Sequence, residues 1–160
     1  MFDKILPQRI DNTYRGHKLA LWFFAVILLV KILQSLFVMF NGYSTLMSAD
    51  GIPLDTYAPA AAQTIVAIWA LSGLERLIIS LLCVLVLVRY RSLITFMYAL
   101  LAFDYLARQL ILHFVPVVRT GTSPGPVVNL VLFFLTIVGL ALSLRNRETG
   151  SEYSRQTRAT

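Results

Sequence analysis

The chain has 160 residues, 58% of them hydrophobic and 14% charged, with a formal net charge of +6 and a mean hydropathy of +0.72. Soluble domains run nearer about 45–50% apolar and about 25% charged, so this composition excludes an ordinary water-soluble domain and indicates a one-domain integral membrane protein. The single cysteine, Cys83, lies in an apolar run, which excludes an intrachain disulfide and a cysteine metal cage.

Residues 1–18 read as a cytoplasmic N-terminal segment, polar for the most part and carrying Asp3 and Asp11. A membrane helix needs roughly 20 apolar residues, and four runs reach that length. The first span is Leu19–Phe40. No small-residue cleavage site follows it, so it reads as a retained signal anchor rather than a removed signal peptide. Asn41–Pro59 is a pause rich in glycine and proline. The second span, Ala60–Val88, is long enough to tilt or project from the bilayer. Arg89-Tyr90-Arg91-Ser92 is a tight turn, Leu93–Val115 the third span, and Pro116–Pro126 a second breaker cluster. Val127–Leu144 is the fourth span, and residues 145–160 read as a disordered polar tail. The expected fold is all-α: a four-helix transmembrane bundle spanning 19–144, with N- and C-termini cytoplasmic.

The orientation follows from Lys and Arg in the flanks. Lys4, Arg9, Arg15, Lys18, Arg89, Arg91, Arg145, Arg147, Arg155 and Arg158 fall on one side. Arg119 alone falls on the other, where the first loop carries Asp50 and Asp55. The positive charge therefore marks orientation rather than a nucleic-acid partner.

Five ionisable residues interrupt the spans: Lys31, Glu75, Arg76, Asp104 and Arg108. Each costs roughly 2.5–3.5 kcal/mol at the centre of a membrane helix unless paired, hydrated or used. At 100° per residue, Lys31, Gln34, Ser35 and Asn41 share a face of the first helix. Trp69, Ser72, Glu75, Arg76, Ser80 and Cys83 are assigned to one side of the second. On the third, Asp104 and Arg108 stand four apart and can pair, and Gln109 and His113 repeat that spacing. Polar over half its girth, this helix is expected to be the most enclosed. On the fourth, Asn129, Thr136 and Ser143 recur every seven residues beside Gly139, a seam suited to close packing. The apolar runs Leu19–Val30 and Ile78–Val88 lie in the inner half of the bilayer. Together these placements predict a polar pocket open toward the exoplasmic side and closed below by hydrocarbon. Its candidate ligand-binding or ion-pair residues are Lys31, Gln34, Trp69, Glu75, Arg76, Asp104, Arg108 and His113.

The alternative reading is structural: Lys31 and Arg108 neutralise Glu75 and Asp104 and fix helix pairing. No metal is expected, because His113 has no second ligand at metal spacing. Haem is disfavoured, since His17 lies at the opposite membrane face. A quinone carbonyl is the cofactor contact His113 would suit. No phosphate loop, nucleophile elbow or zinc-protease motif is present, which weighs against an autonomous enzyme.

Phe40-Asn41-Gly42-Tyr43-Ser44-Thr45-Leu46, Gly73-Leu74-Glu75 and Arg89-Tyr90-Arg91, in that order, resemble the DoxX-like family of small four-helix bacterial membrane proteins. Thr45 stands where that family usually has a lysine, and Arg76, Asp104 and Arg108 are not part of its pattern. The likeness covers about residues 30–100. It implies a bacterial inner-membrane protein associated with quinone-linked respiratory or thiol-stress complexes, with Glu75 as the residue carried over. The expected function is that of a subunit or accessory of a membrane complex, partnered by other membrane subunits or by its own copies. The rival is a quinone- or lipid-binding or small-molecule transport protein.

Single cysteines placed within Asn41–Pro59 of a Cys83→Ser background are expected to react with an impermeant thiol reagent added to intact cells. Cysteines placed beyond Arg145 are expected to stay unlabelled; labelling of the tail would invert the orientation.

Overall fold

The computed structural model describes Asn12, Tyr14, residues 16–121 and residues 123–145. Expectations for residues 1–11 and for the tail beyond Arg145 lie outside them. Four helices are long and apolar enough to cross a bilayer, and the chain is a multi-pass membrane protein. They are α1 (Lys18–Phe40), α3 (Pro59–Arg89), α4 (Ile94–Phe114) and α5 (Pro124–Leu144), with a short α2 (Gly42–Ser48) between the first two. No strand occurs among the described residues.

Local chemistry sets the ends. His17 caps α1, its Nδ1 accepting from the Leu19 N–H at 3.2 Å. Its own N–H donates to the Leu142 carbonyl at 3.3 Å, which ties the start of α1 to the end of α5. Arg91 Nε donates to the Leu87 carbonyl at 3.1 Å, satisfying one of the acceptors left free where α3 ends. A single 3-10 turn, Arg91–Leu93, then leads into α4. Proline opens both α3 and α5, where a missing N–H costs nothing. That is why α5 begins at Pro124, three residues before the apolar run alone suggests.

The first pause is more structured than its composition implies, since it contains α2 and a 3-10 turn at Leu54–Thr56. Leu46, Ile52 and Leu54 bury themselves against Ala62, with Ile65, Val66 and Trp69 packed around them. At 1.5 Å per residue, the 31 residues of α3 run about 46 Å, well beyond a hydrocarbon core of about 30 Å. Its first turns serve as the platform for α2 and the loop.

Helix α1 is the hub, packing extensively on α3 and α5, whereas α4 rests mainly on α5 and touches α3 sparingly. The third span, expected to be the most enclosed, is as buried as α1 and more so than α3 and α5. Part of its polar half faces a cavity, and Gln109 and His113 are exposed. Lipid offers no hydrophobic drive for helix association, so close packing through small residues carries it. Gly73 is one such residue: a Cβ there would stand 2.9 Å from Val38 Cγ1 and 3.2 Å from the Ser35 carbonyl. Gly139 is another, lying flat against the ring of Tyr98. Tyr98 is fully buried, donates to the Ala20 carbonyl at 2.6 Å and meets Phe24 edge-on at 5.0 Å. Around it Ala20, Phe24, Ile27, Leu28, Cys83, Val86, Ile94, Leu101 and Leu132 form the main apolar cluster.

The polar seam of α5 is buried at Thr136 and Ser143. Its hydroxyls bond within the helix, to the Leu132 carbonyl at 2.7 Å and the Leu140 carbonyl at 2.8 Å. Ser35 and Ser80 do the same in α1 and α3. These hydroxyls are satisfied locally and serve as small packing residues.

Gly139→Val forces its side chain into the Tyr98 ring and is expected to cost about 1–3 kcal/mol, as overpacking does. Tyr98→Phe loses one hydrogen bond and is expected to cost about 0.5–1.5 kcal/mol. Reversible unfolding in mixed micelles measures both; a Gly139→Val protein as stable as the parent would remove this contact from the account.

Candidate functional site

Between the main apolar cluster and the smaller one under α2 lies a cavity of about 300 Å³. Each helix contributes a narrow face to it. α1 presents Lys31, Gln34 and Ser35, α3 presents Trp69, Arg76, Ile79 and Ser80, and α5 presents Pro126 and Asn129. α4 supplies the long wall that includes Leu101, Asp104, Tyr105, Arg108 and Gln109. The spacings are those of one helical face: Trp69 to Arg76 is two turns, as are Leu101 to Arg108 and Asp104 to Ile111.

The loops cross the far end, which the sequence reading left open. Thr120 N–H donates to the Gly51 carbonyl at 2.8 Å, and Gly125 N–H to the Ala49 carbonyl at 2.8 Å. Gly51 takes φ +70°, and a Cβ there would meet Ser123 Cβ at 3.1 Å and the Thr120 carbonyl at 3.2 Å. Glycine is required on both counts. This clamp brings Asp50 and Arg119 to the cavity.

Of the eight candidate residues, six line the cavity: Lys31, Gln34, Trp69, Arg76, Asp104 and Arg108. Glu75 and His113 do not. Glu75 is exposed, one residue and hence 100° from Arg76, on the side of α3 where Leu71, Ile78 and Leu82 are also exposed. His113 is exposed in the last turn of α4, edge-on to Phe114 at 5.5 Å. Among the described residues no group of three His, Cys, Asp or Glu side chains is placed to hold a metal.

Asp104 and Arg108 form the expected pair, Arg108 Nε lying 3.1 Å and 3.2 Å from the two carboxylate oxygens. Their side chains keep 34% and 40% of their exposure. The pair is thus open to the cavity that both residues line rather than sealed within packed protein. It is the one ion pair within 4 Å among the described residues, so Lys31, Arg76 and Arg119 face the cavity without a carboxylate at contact distance.

Arg76 is the least satisfied of them. Its guanidinium lies 5.2 Å from the centroid of the Trp69 ring, a cation–π contact. Its Nε and the Trp69 Nε1 are both shut from solvent without a hydrogen-bond partner. Buried donors are nearly always paired, so two neighbouring orphans beside a cavity mark the place where an acceptor is called for. On the α4 wall, Gln109 Nε2 donates to Tyr105 Oη at 2.8 Å, and Tyr105 stacks on Phe133 at 4.4 Å.

Asp50 and Arg119 entered the sequence reading only as orientation charges. Their convergence depends on two loops folding over one another, and no spacing rule encodes that. Burial raises the pKa of Asp50 above its ordinary value, outweighing Arg76 and Arg119, which lower it. No family model, curated protein or solved structure matches the chain.

The sign of the Asp50 shift fixes a prediction. With its folded pKa above the unfolded one, ionised Asp50 detracts from stability at neutral pH. The penalty vanishes once pH falls below the unfolded value and both states are protonated. Asp50→Asn is therefore expected to raise the thermal midpoint at pH 7 and to match the parent below about pH 4. A lower midpoint at pH 7 would contradict the assignment.

Proposed function

We propose that this multi-pass membrane protein binds the polar head of an amphipathic ligand in the cavity between α1, α3, α4 and α5. It acts as a binding protein rather than an autonomous enzyme. The observation that carries this reading is the adjacent pair of orphaned donors, Arg76 Nε and Trp69 Nε1, on the wall of a cavity of about 300 Å³. That volume sits at the lower end of small-molecule sites. It accommodates a headgroup but not the hydrocarbon of a lipid or quinone. The sparing contact between α3 and α4 offers the tail a way into the bilayer.

A second reading has its own observation. Glu75 is exposed near the middle of α3 among exposed Leu71, Ile78 and Leu82. A carboxylate facing lipid at that depth costs roughly 2.5–3.5 kcal/mol. A neighbouring membrane helix that donates to it would offset the cost. This favours a role as accessory subunit of a larger membrane complex, and the two roles are compatible in one protein. The resemblance to DoxX-like proteins supports a bacterial inner membrane and a quinone-linked setting, and the Lys and Arg bias of the flanks supports cytoplasmic termini.

Protein extracted in a mild detergent is expected to carry one amphipathic molecule per chain in native mass spectrometry. Trp69→Phe keeps the ring but removes the N–H. The loss of one hydrogen bond of about 0.5–1.5 kcal/mol is expected to weaken retention roughly two- to tenfold. Parent protein that is free of any adduct, and unchanged by Trp69→Phe in affinity for added lipids or quinones, would end the binding reading.

A further inference from the structure

Resting on that reading, we infer that the group seated in the cavity is an oxyanion, a phosphate or carboxylate, held by Arg76 with Arg108, Lys31 and Arg119 around it. Four basic side chains and two carboxylates, Asp50 and Asp104, face the cavity. Two positive charges are therefore left over. A neutral occupant such as a quinone fills space and accepts hydrogen bonds but leaves that excess uncompensated in a membrane interior, where isolated charge is costly. An oxyanion removes the excess and satisfies the orphaned donors together.

The donor geometry suits the same class. Arg76 is held by the Trp69 face at 5.2 Å and offers an unused Nε. Arg108 gives its Nε to Asp104 at 3.1 Å and 3.2 Å, which leaves its Nη groups for another acceptor. Planar guanidinium forks match the oxygens of phosphate and carboxylate better than those of a ketone. The Asp104 carboxylate keeps Arg108 on the α4 wall and sets a limit on the charge the site accepts: two uncompensated positives suit a singly or doubly charged group. Arg119, at the loop end of the cavity, extends the basic lining from the spans into the loop that crosses it.

One chemistry has two sources here. The anion can be the headgroup of a membrane lipid, its acyl chains leaving between α3 and α4, or a free anion such as inorganic phosphate. Delipidated protein in a neutral detergent is titrated separately with phosphatidylglycerol, phosphatidylcholine, a long-chain quinone and inorganic phosphate, and read by native mass spectrometry and thermal midpoint. The expected result is one-to-one binding of phosphatidylglycerol, at least about tenfold tighter than phosphatidylcholine or quinone, or about 1.4 kcal/mol. That preference is expected to be lost in Arg76→Gln and only partly restored in Arg76→Lys, which returns the charge without the planar fork. Arg119→Gln, outside the spans, is expected to weaken binding severalfold and serves if the Arg76 variants do not fold. Saturable protection by inorganic phosphate alone, sensitive to the same variants, would uphold the oxyanion and assign it a soluble source. Quinone or phosphatidylcholine binding as tightly as phosphatidylglycerol would overturn the oxyanion while leaving the amphiphile reading intact. Binding of none of the probes would overturn both. Phosphatidylglycerol binding that is indifferent to the Arg76 and Arg119 variants would place it on the outer surface and overturn the inference.

Discussion

A guanidinium inside a membrane span, with its Nε shut from solvent and no acceptor against it, is the constraint around which this molecule is arranged. Arg76 cannot discard its charge under any ordinary condition. The bundle must bear its desolvation or provide something to face it. Trp69 supplies one ring face and the cavity supplies space. No carboxylate comes within 4 Å of it among the described residues. A pocket of this kind survives in a small bundle only if the rest is packed well enough to bear the cost. Here the packing is supplied by Tyr98 against Gly139 and by Gly73 in the α1–α3 crossing.

The two apolar clusters divide the labour. The larger holds α1, α3, α4 and α5 together at the end where the helix termini and the Tyr90 turn lie. The smaller holds α2 and the first loop onto the start of α3, and through Ala49 and Gly51 it positions the second loop as well. The cavity lies between them, bounded by packed walls except where α4 rests on α3 sparingly. Local opening is drawn from regions with few buried contacts, so the α3–α4 seam is where a bulky tail passes at least cost. The binding role proposed above thus relies on a sparingly packed seam.

Much of this was legible in the chain. The spans follow from hydropathy, and their boundaries shift by at most three residues, the largest at Pro124, where proline belongs to the helix it opens. The Asp104–Arg108 pair follows from spacing alone. Spacing also places Lys31 and Gln34 on one face of α1 and Trp69 and Arg76 on one face of α3, and the cost of turning polar groups to lipid directs both faces inward. Glu75 was less legible. Its charge invites grouping with Arg76, yet one step along a helix turns 100° and sends it to the exposed side with Leu71 and Ile78. His113 was drawn in by its type, while its position in the final turn leaves it exposed. Asp50 and Arg119 could not be found from periodicity, since they lie on loops whose mutual hydrogen bonds appear only in three dimensions.

The central claim is that Arg76 is a charge retained for a ligand and not for the fold. Removing an unpaired buried charge relieves desolvation, whereas removing one member of a satisfied pair strands the other. Thermal unfolding of delipidated Arg76→Met against the parent, each with and without a saturating anionic lipid, separates the cases. The account predicts that the variant is at least as stable as the parent without lipid, and that only the parent gains stability when lipid is added. A variant that is less stable without lipid, yet gains as much as the parent when lipid is supplied, would contradict it.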